Sequence, residues 1–216
     1  MIQDHRTSKI VHRPSKILLK GLLLSGLYFL GTAFFQIKWK SLFDGVTLKG
    51  WHVIPGGTWN AANGILTGRN DHSDDRHGLL VTDKKYKNFE ITLQFKCIKG
   101  NSGLYFRVDE TGGIEGVKGL QAEIAPEEYI GGLYETGGRG WVVQPRQEEV
   151  RKWYKSGKWN KMTVHAENGN IVVHVNGYKT AELSNDPGRK EGFIALQLHG
   201  GQDMEVYFKN VMLKEL

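Results

Sequence analysis

Three short stretches carry residues that could do chemistry, each at every second position. Asn101-Ser102-Gly103-Leu104-Tyr105-Phe106-Arg107 sets Tyr105 and Arg107 against Leu104 and Phe106. Leu120-Gln121-Ala122-Glu123-Ile124 sets Gln121 and Glu123 against three apolar residues. Phe193–Gly200 places Gln197 and His199 on one side and Ile194, Leu196 and Leu198 on the other. Period-2 alternation is the pattern of a strand with one apolar and one polar face. Glu123 and His199 are acid–base groups tunable toward neutral pH. Arg107 is a fixed cation, and the amides and phenol are hydroxyl-holding groups. If the three strands share a sheet, these six side chains line one cleft; otherwise they are three solvated faces.

Strands must position them, and the chain is rich in strand signals. Phe89, Ile91, Leu93, Phe95 and Cys97 alternate with polar residues, as in a half-exposed antiparallel strand. Trp159–Glu167, the turn Asn168-Gly169 and Asn170–Tyr178 form a clear hairpin. Asn63-Gly64 marks another. One short helix is expected over Arg146–Tyr154, with Val150, Trp153 and Tyr154 on its apolar side. Residues 129–143 hold five glycines with Tyr129, Tyr134, Arg139 and Trp141 between them, a loop able to bring backbone and rings close to a ligand. The expected fold is an all-β antiparallel sandwich over 41–216, preceded by a hydrophobic leader helix.

The leader spans residues 1–35: a basic segment and then the 15-residue apolar run Gly21–Phe35. This reads as an export signal or, if uncleaved, a membrane anchor, and places the domain in the periplasm or cell envelope. Residues 1–40 contain seven Lys/Arg and one acid, which accounts for the whole net charge of +6. The remaining 22 bases meet 22 acids, once these are taken from totals of 29 and 23. The globular part therefore gives no support to nucleic-acid binding, and membrane contact is expected only through the leader. The single cysteine, Cys97, reads as a core residue. The loop Arg69–Gly78, with His72, His77, Asp71, Asp74 and Asp75, matches no strong metal-site spacing and reads as a solvated loop.

Gln, Glu, Arg and His with nearby Trp and Tyr are what a sugar site needs, because hydroxyls want amides and carboxylates and a ring face wants an aromatic platform. The motifs LFDGVTLKGW (42–51), NSGLYFR (101–107), LQAEI (120–124), GGLYETGGRGW (131–141), WNKMTVHAENGNIVVHVNG (159–177), IALQLHGG (194–201) and FKNVMLKEL (208–216) together resemble the 3-keto-disaccharide hydrolase domain family. The resemblance implies a concanavalin-A-like, laminin-G-like jelly roll. It also implies action on glycosides oxidised at C3 by a partner sugar 3-dehydrogenase, with C2 deprotonation, β-elimination of the C1 substituent and hydration. In that scheme His199 or Glu123 is the base and Arg107 stabilises the enolate oxygen. Tyr105, Gln121 and Gln197 hold hydroxyls, and Tyr134, Trp141 and Arg139 contact the sugar. No cofactor is required, although a divalent metal is an alternative to Arg107 for polarising the ketone. The rival readings are a non-catalytic carbohydrate-binding module and a structural envelope protein.

Overall fold

The computed structural model describes residues 38–126 and 128–216; the leader expected over 1–35 lies outside them. In chain order the strands are β1 (Lys40–Ser41), β2 (Trp51–Ile54), β3 (Thr58–Ala62), β4 (Ile65–Asn70), β5 (Gly78–Thr82), β6 (Phe89–Lys99), β7 (Ser102–Glu110) and β8 (Val117–Ile124). The chain continues through β9 (Leu133–Thr136), β10 (Gly140–Val143), helix α1 (Gln147–Trp153), β11 (Asn160–Glu167), β12 (Asn170–Val175), β13 (Tyr178–Leu183), β14 (Phe193–Leu198) and β15 (Met204–Glu215). All pairings between these strands are antiparallel.

Two sheets form an all-β sandwich. One runs β13-β12-β11-β6-β15-β4-β3, with β1 added to β15; the other runs β10-β9-β8-β7-β14-β5-β2. The alternation read from sequence fixes their inner faces. Phe89, Ile91, Leu93, Phe95 and Cys97 of β6 are buried, and so are Leu104 and Phe106 of β7, Leu120 and Ala122 of β8, and Ile194 and Leu196 of β14. Replacing one buried Phe by Ala in such a core typically costs about 3–5 kcal/mol. Helix α1 is a short plug: Val150 and Trp153 turn inward, with Glu148 and Glu149 in its first turn and Arg151 and Lys152 in its last, which suits the helix dipole.

The outer face of the second sheet is divided. At one end Leu79, Val81, Tyr105, Val108, Val117 and Ala195 form a second, smaller apolar cluster. At the other, polar side chains stand over β8, β7 and β14, and there the candidate site lies.

Candidate active site

Strand register assembles the site. Tyr134 of β9 stands opposite Gln121 of β8, which stands opposite Tyr105 of β7, which stands opposite Ala195 of β14. Two positions along, Glu123 pairs with Gly103. Gly103 is needed there: a Cβ would meet the Gln121 side chain at 2.5 Å, so the missing side chain lets Gln121 lie across the strand. The result is a cavity of about 240 Å³ lined by Tyr105, Gln121, Glu123, Tyr134, Trp141, Gln197 and His199 together with His77, Asn101, Glu115 and Thr136.

The polar groups are tied to one another beneath the cavity. Gln121 Nε2 donates to Glu123 Oε2 at 2.5 Å. Burial pushes the Glu123 carboxyl up to about 7, against the opposing pull of Gln121, Asn101 and the Ile124 backbone N–H. Tyr105 Oη lies 2.8 Å from Thr136 Oγ1, and burial drives its phenol well above the usual range. Gln197 Nε2 donates to Tyr105 Oη at 3.2 Å and to His77 Nδ1 at 2.9 Å. Glu115 Oε2 is 3.3 Å from the same Nδ1. With the Gln197 amide nitrogen facing it, Nδ1 accepts and the His77 ring proton sits on Nε2; a proton on Nδ1, directed at Glu115, would go with the amide turned over.

The rings of His77 and His199 lie against each other, tilted by 44°, with centroids 4.4 Å apart. Burial first, and the neighbouring His199 second, push His77 down to about 4, so it is neutral across the physiological range. His199 Nδ1 donates to the Gly200 carbonyl at 2.6 Å and is 3.1 Å from Gln202 Nε2. That leaves His199 Nε2 as the chemically available nitrogen. Tyr134 and Tyr129 brace Trp141, at centroid distances of 5.3 and 4.8 Å, to form an aromatic wall.

Four buried acceptor oxygens of this site have no donor among the described residues: Asn101 Oδ1, Gln121 Oε1, Glu123 Oε1 and Gln197 Oε1. A buried acceptor without a partner costs about 1–3 kcal/mol, so four in one cavity call for a ligand rich in donors. A polyol is such a ligand.

Arg107, expected beside Tyr105, is not brought to the cavity. Pairing between β7 and β8 shifts register between Phe106 and Asp109, and Arg107 adopts a left-handed φ of 52°, so the alternation breaks at that residue. Its guanidinium is buried and donates to the carbonyls of Lys87 at 2.7 and 3.0 Å and of Asn168 at 2.7 Å. Arg139 also lies outside, paired with Glu135 and, at 2.6 Å, with Asp186. Conversely, His77, Asn101, Glu115 and Thr136 join the site without being singled out by the alternation. For His77 the available signal is its place immediately before the apolar strand β5, which ties the end of an otherwise solvated loop to the sheet. The remainder of that loop is solvated: among the described residues, the three-donor cluster with ligand atoms within 4.8 Å of one another is the exposed Asp71, His72 and Asp203, outside the cavity.

The model of the 3-keto-alpha-glucoside-1,2-lyase-like domain matches residues 38–214. Over 80 residues the chain is 31% identical to a protein named 3-keto-disaccharide hydrolase from Bacteroides thetaiotaomicron, a match covering 32% of this chain and 27% of that protein. The fold is similar to that of a candidate glycosyl hydrolase from Parabacteroides distasonis, with TM-score 0.61, 22% identity and coverage of 82% of this chain and 94% of that one. It is also similar to carbohydrate binding module CBM66 from Bacillus subtilis, with TM-score 0.60, 16% identity and coverage of 77% and 96%.

Proposed function

We propose, because the chain belongs to the 3-keto-alpha-glucoside-1,2-lyase-like domain family, that its concanavalin-A-like sandwich cleaves glycosides already oxidised to a ketone at C3. The observation that carries this reading is the meeting, in one cavity, of a carboxyl titrating near 7 and four acceptor oxygens without protein donors. The acceptors suit sugar hydroxyls, and the carboxyl suits proton abstraction near neutral pH.

The chemistry follows from the ketone. A C3 carbonyl acidifies the C2 hydrogen. Ionised Glu123 takes that proton, and the C–H electron pair moves into the C2–C3 bond as the C3 oxygen becomes an enolate. The enolate collapses back to the ketone, a C1–C2 double bond forms, and the bond from C1 to the glycosidic oxygen breaks. His199 gives the departing oxygen a proton from Nε2, while its Nδ1–H is held by the Gly200 carbonyl. Water adding across the double bond yields the free 3-keto sugar. Ordinary glycosidases instead work through an oxocarbenium-like transition state flanked by two carboxylates.

The enolate oxygen needs a donor, and Arg107 is committed to loop carbonyls. Neutral His77 fits the role through its Nε2 proton, because Gln197 holds Nδ1. Gln121, Gln197 and Tyr105 position hydroxyls, and Trp141 covers a ring face. A divalent metal is the alternative polariser. The donor types in the cavity suit one, and turnover measured with and without EDTA separates the two polarisers. In this reading a sugar 3-dehydrogenase supplies the substrate, and the basic, apolar leader supports export to the periplasm or cell envelope.

The test is turnover: incubating the protein with a 3-keto-glycoside should release the free aglycone. The carbohydrate-binding alternative uses the same aromatic wall and acceptor oxygens, and predicts binding without release.

A further inference from the structure

The first cavity, at about 240 Å³, has room for about one sugar ring. A second cleft of about 390 Å³ adjoins it and shares Asn101 with it. The partition is firmly held. The Asn101 carbonyl accepts from the His199 backbone N–H at 3.2 Å, and its backbone N–H points to Met204 Sδ at 2.9 Å. Its side-chain Oδ1 is buried with no donor among the described residues. Gln202 lines the second cleft and reaches back to His199 Nδ1 at 3.1 Å. The two residues bordering this cleft are thus in contact with the two acid–base groups of the first, since Asn101 also lies against Glu123.

We propose that the second cleft is the leaving-group subsite and takes the second sugar ring of a disaccharide. The proposal rests on the elimination reading above. In that reaction the proton leaves C2 and the substituent leaves C1, one carbon away. A substituent departing from a ring whose C2 faces Glu123 leaves from the next carbon, and Asn101, in contact with both Glu123 and His199, borders the second cleft on its other side. The lining is suited to a sugar. Ile98, 48% exposed at the end of β6, and Pro126 offer an apolar surface to a ring face. Lys99, Glu128 and Gln202 offer charged and amide partners to hydroxyls.

The test compares a 3-keto-disaccharide with the corresponding methyl 3-keto-glycoside in the wild type and in the double variant Ile98→Ser, Lys99→Ala. Both residues are outside the first cavity, and the Lys99 ion pair with Asp203 is exposed, so the variant is expected to melt like the wild type. Losing an apolar contact and a polar one should lower kcat/KM for the disaccharide about tenfold and leave the methyl glycoside within about twofold. Equal effects on both substrates, or none on either, overturn the subsite. A separate arm measures calorimetric binding of the two compounds, which does not require turnover. Tighter binding of the disaccharide that the double variant abolishes supports the subsite even if the wild type cleaves neither compound, an outcome that would remove the elimination reading instead. Equal affinities for the two compounds overturn the subsite.

Discussion

Gln121 Nε2 lies 2.5 Å from Glu123 Oε2, two residues along the same strand. The amide fixes one carboxylate oxygen and leaves the other, Oε1, buried and without a protein donor. Burial holds the carboxyl at about 7 in spite of that hydrogen bond. The pair therefore presents an oriented carboxyl whose pKa burial raises to about 7, as the proposed base requires.

This has a consequence for stability. The Glu123 acid is raised from 4.5 to about 7, so between these values the folded protein binds more protons than the unfolded chain. Its stabilising contribution is fully present below 4.5 and is lost as pH rises through about 7. At roughly 1.4 kcal/mol per unit the loss is on the order of 3 kcal/mol. Glu123→Gln should thus melt close to the wild type at pH 4.5 and above it at pH 8. A melting difference that does not vary with pH would contradict the assignment.

His77 behaves in the opposite sense. Its pKa is lowered from 6.5 to about 4, so its contribution is fully present above 6.5 and is lost as pH falls through about 4. Ring nitrogen NMR should find His77 neutral at pH 6, protonated on Nε2 alone. His77→Phe should lower kcat by about 10²-fold, the range seen for loss of one oxyanion donor. A rate within a few-fold of wild type would remove His77 from the chemistry.

Arg107 is expected to be a stability residue. Its guanidinium joins the Lys87 and Asn168 carbonyls through hydrogen bonds from a charged donor, each worth about 1.5–3 kcal/mol. Arg107→Met should lower the melting temperature strongly, while kcat/KM of the folded fraction stays within a few-fold. A stable variant with abolished turnover would restore the arginine to the site.

Gly103→Ala probes the site through packing. The new Cβ would sit 2.5 Å from the Gln121 side chain, whose flexible end can yield. Displaced Gln121 should release Glu123, lowering kcat about tenfold and moving the acid limb of the pH–rate profile upward, because the amide hydrogen bond is one of the interactions that lower the carboxyl pKa. An unchanged pH profile would show that Gln121 does not position the base.

The sandwich and much of the site were legible because both depend on period 2. The apolar positions of β6, β7, β8 and β14 face the core, and Tyr105, Gln121, Glu123 and Gln197 follow on the outer face. Arg107 escaped this logic because a bulge and a left-handed backbone break the alternation, and nothing in its neighbours' identities marks the break. His77 and Asn101 escaped because they sit just outside strands β5 and β7, where loop packing decides direction. Arg139 lies among glycines that suit a ligand loop, yet opposite charge on Glu135 and Asp186 claims it.

The most direct test of the account is the rate of aglycone release from a 3-keto-glycoside by the wild type and by Glu123→Gln, measured at pH 8 with a melting curve for each. The account predicts turnover by the wild type and a folded variant slower by about 10²–10⁴-fold, the usual contribution of a general base. Release by the variant within a few-fold of wild type would contradict it.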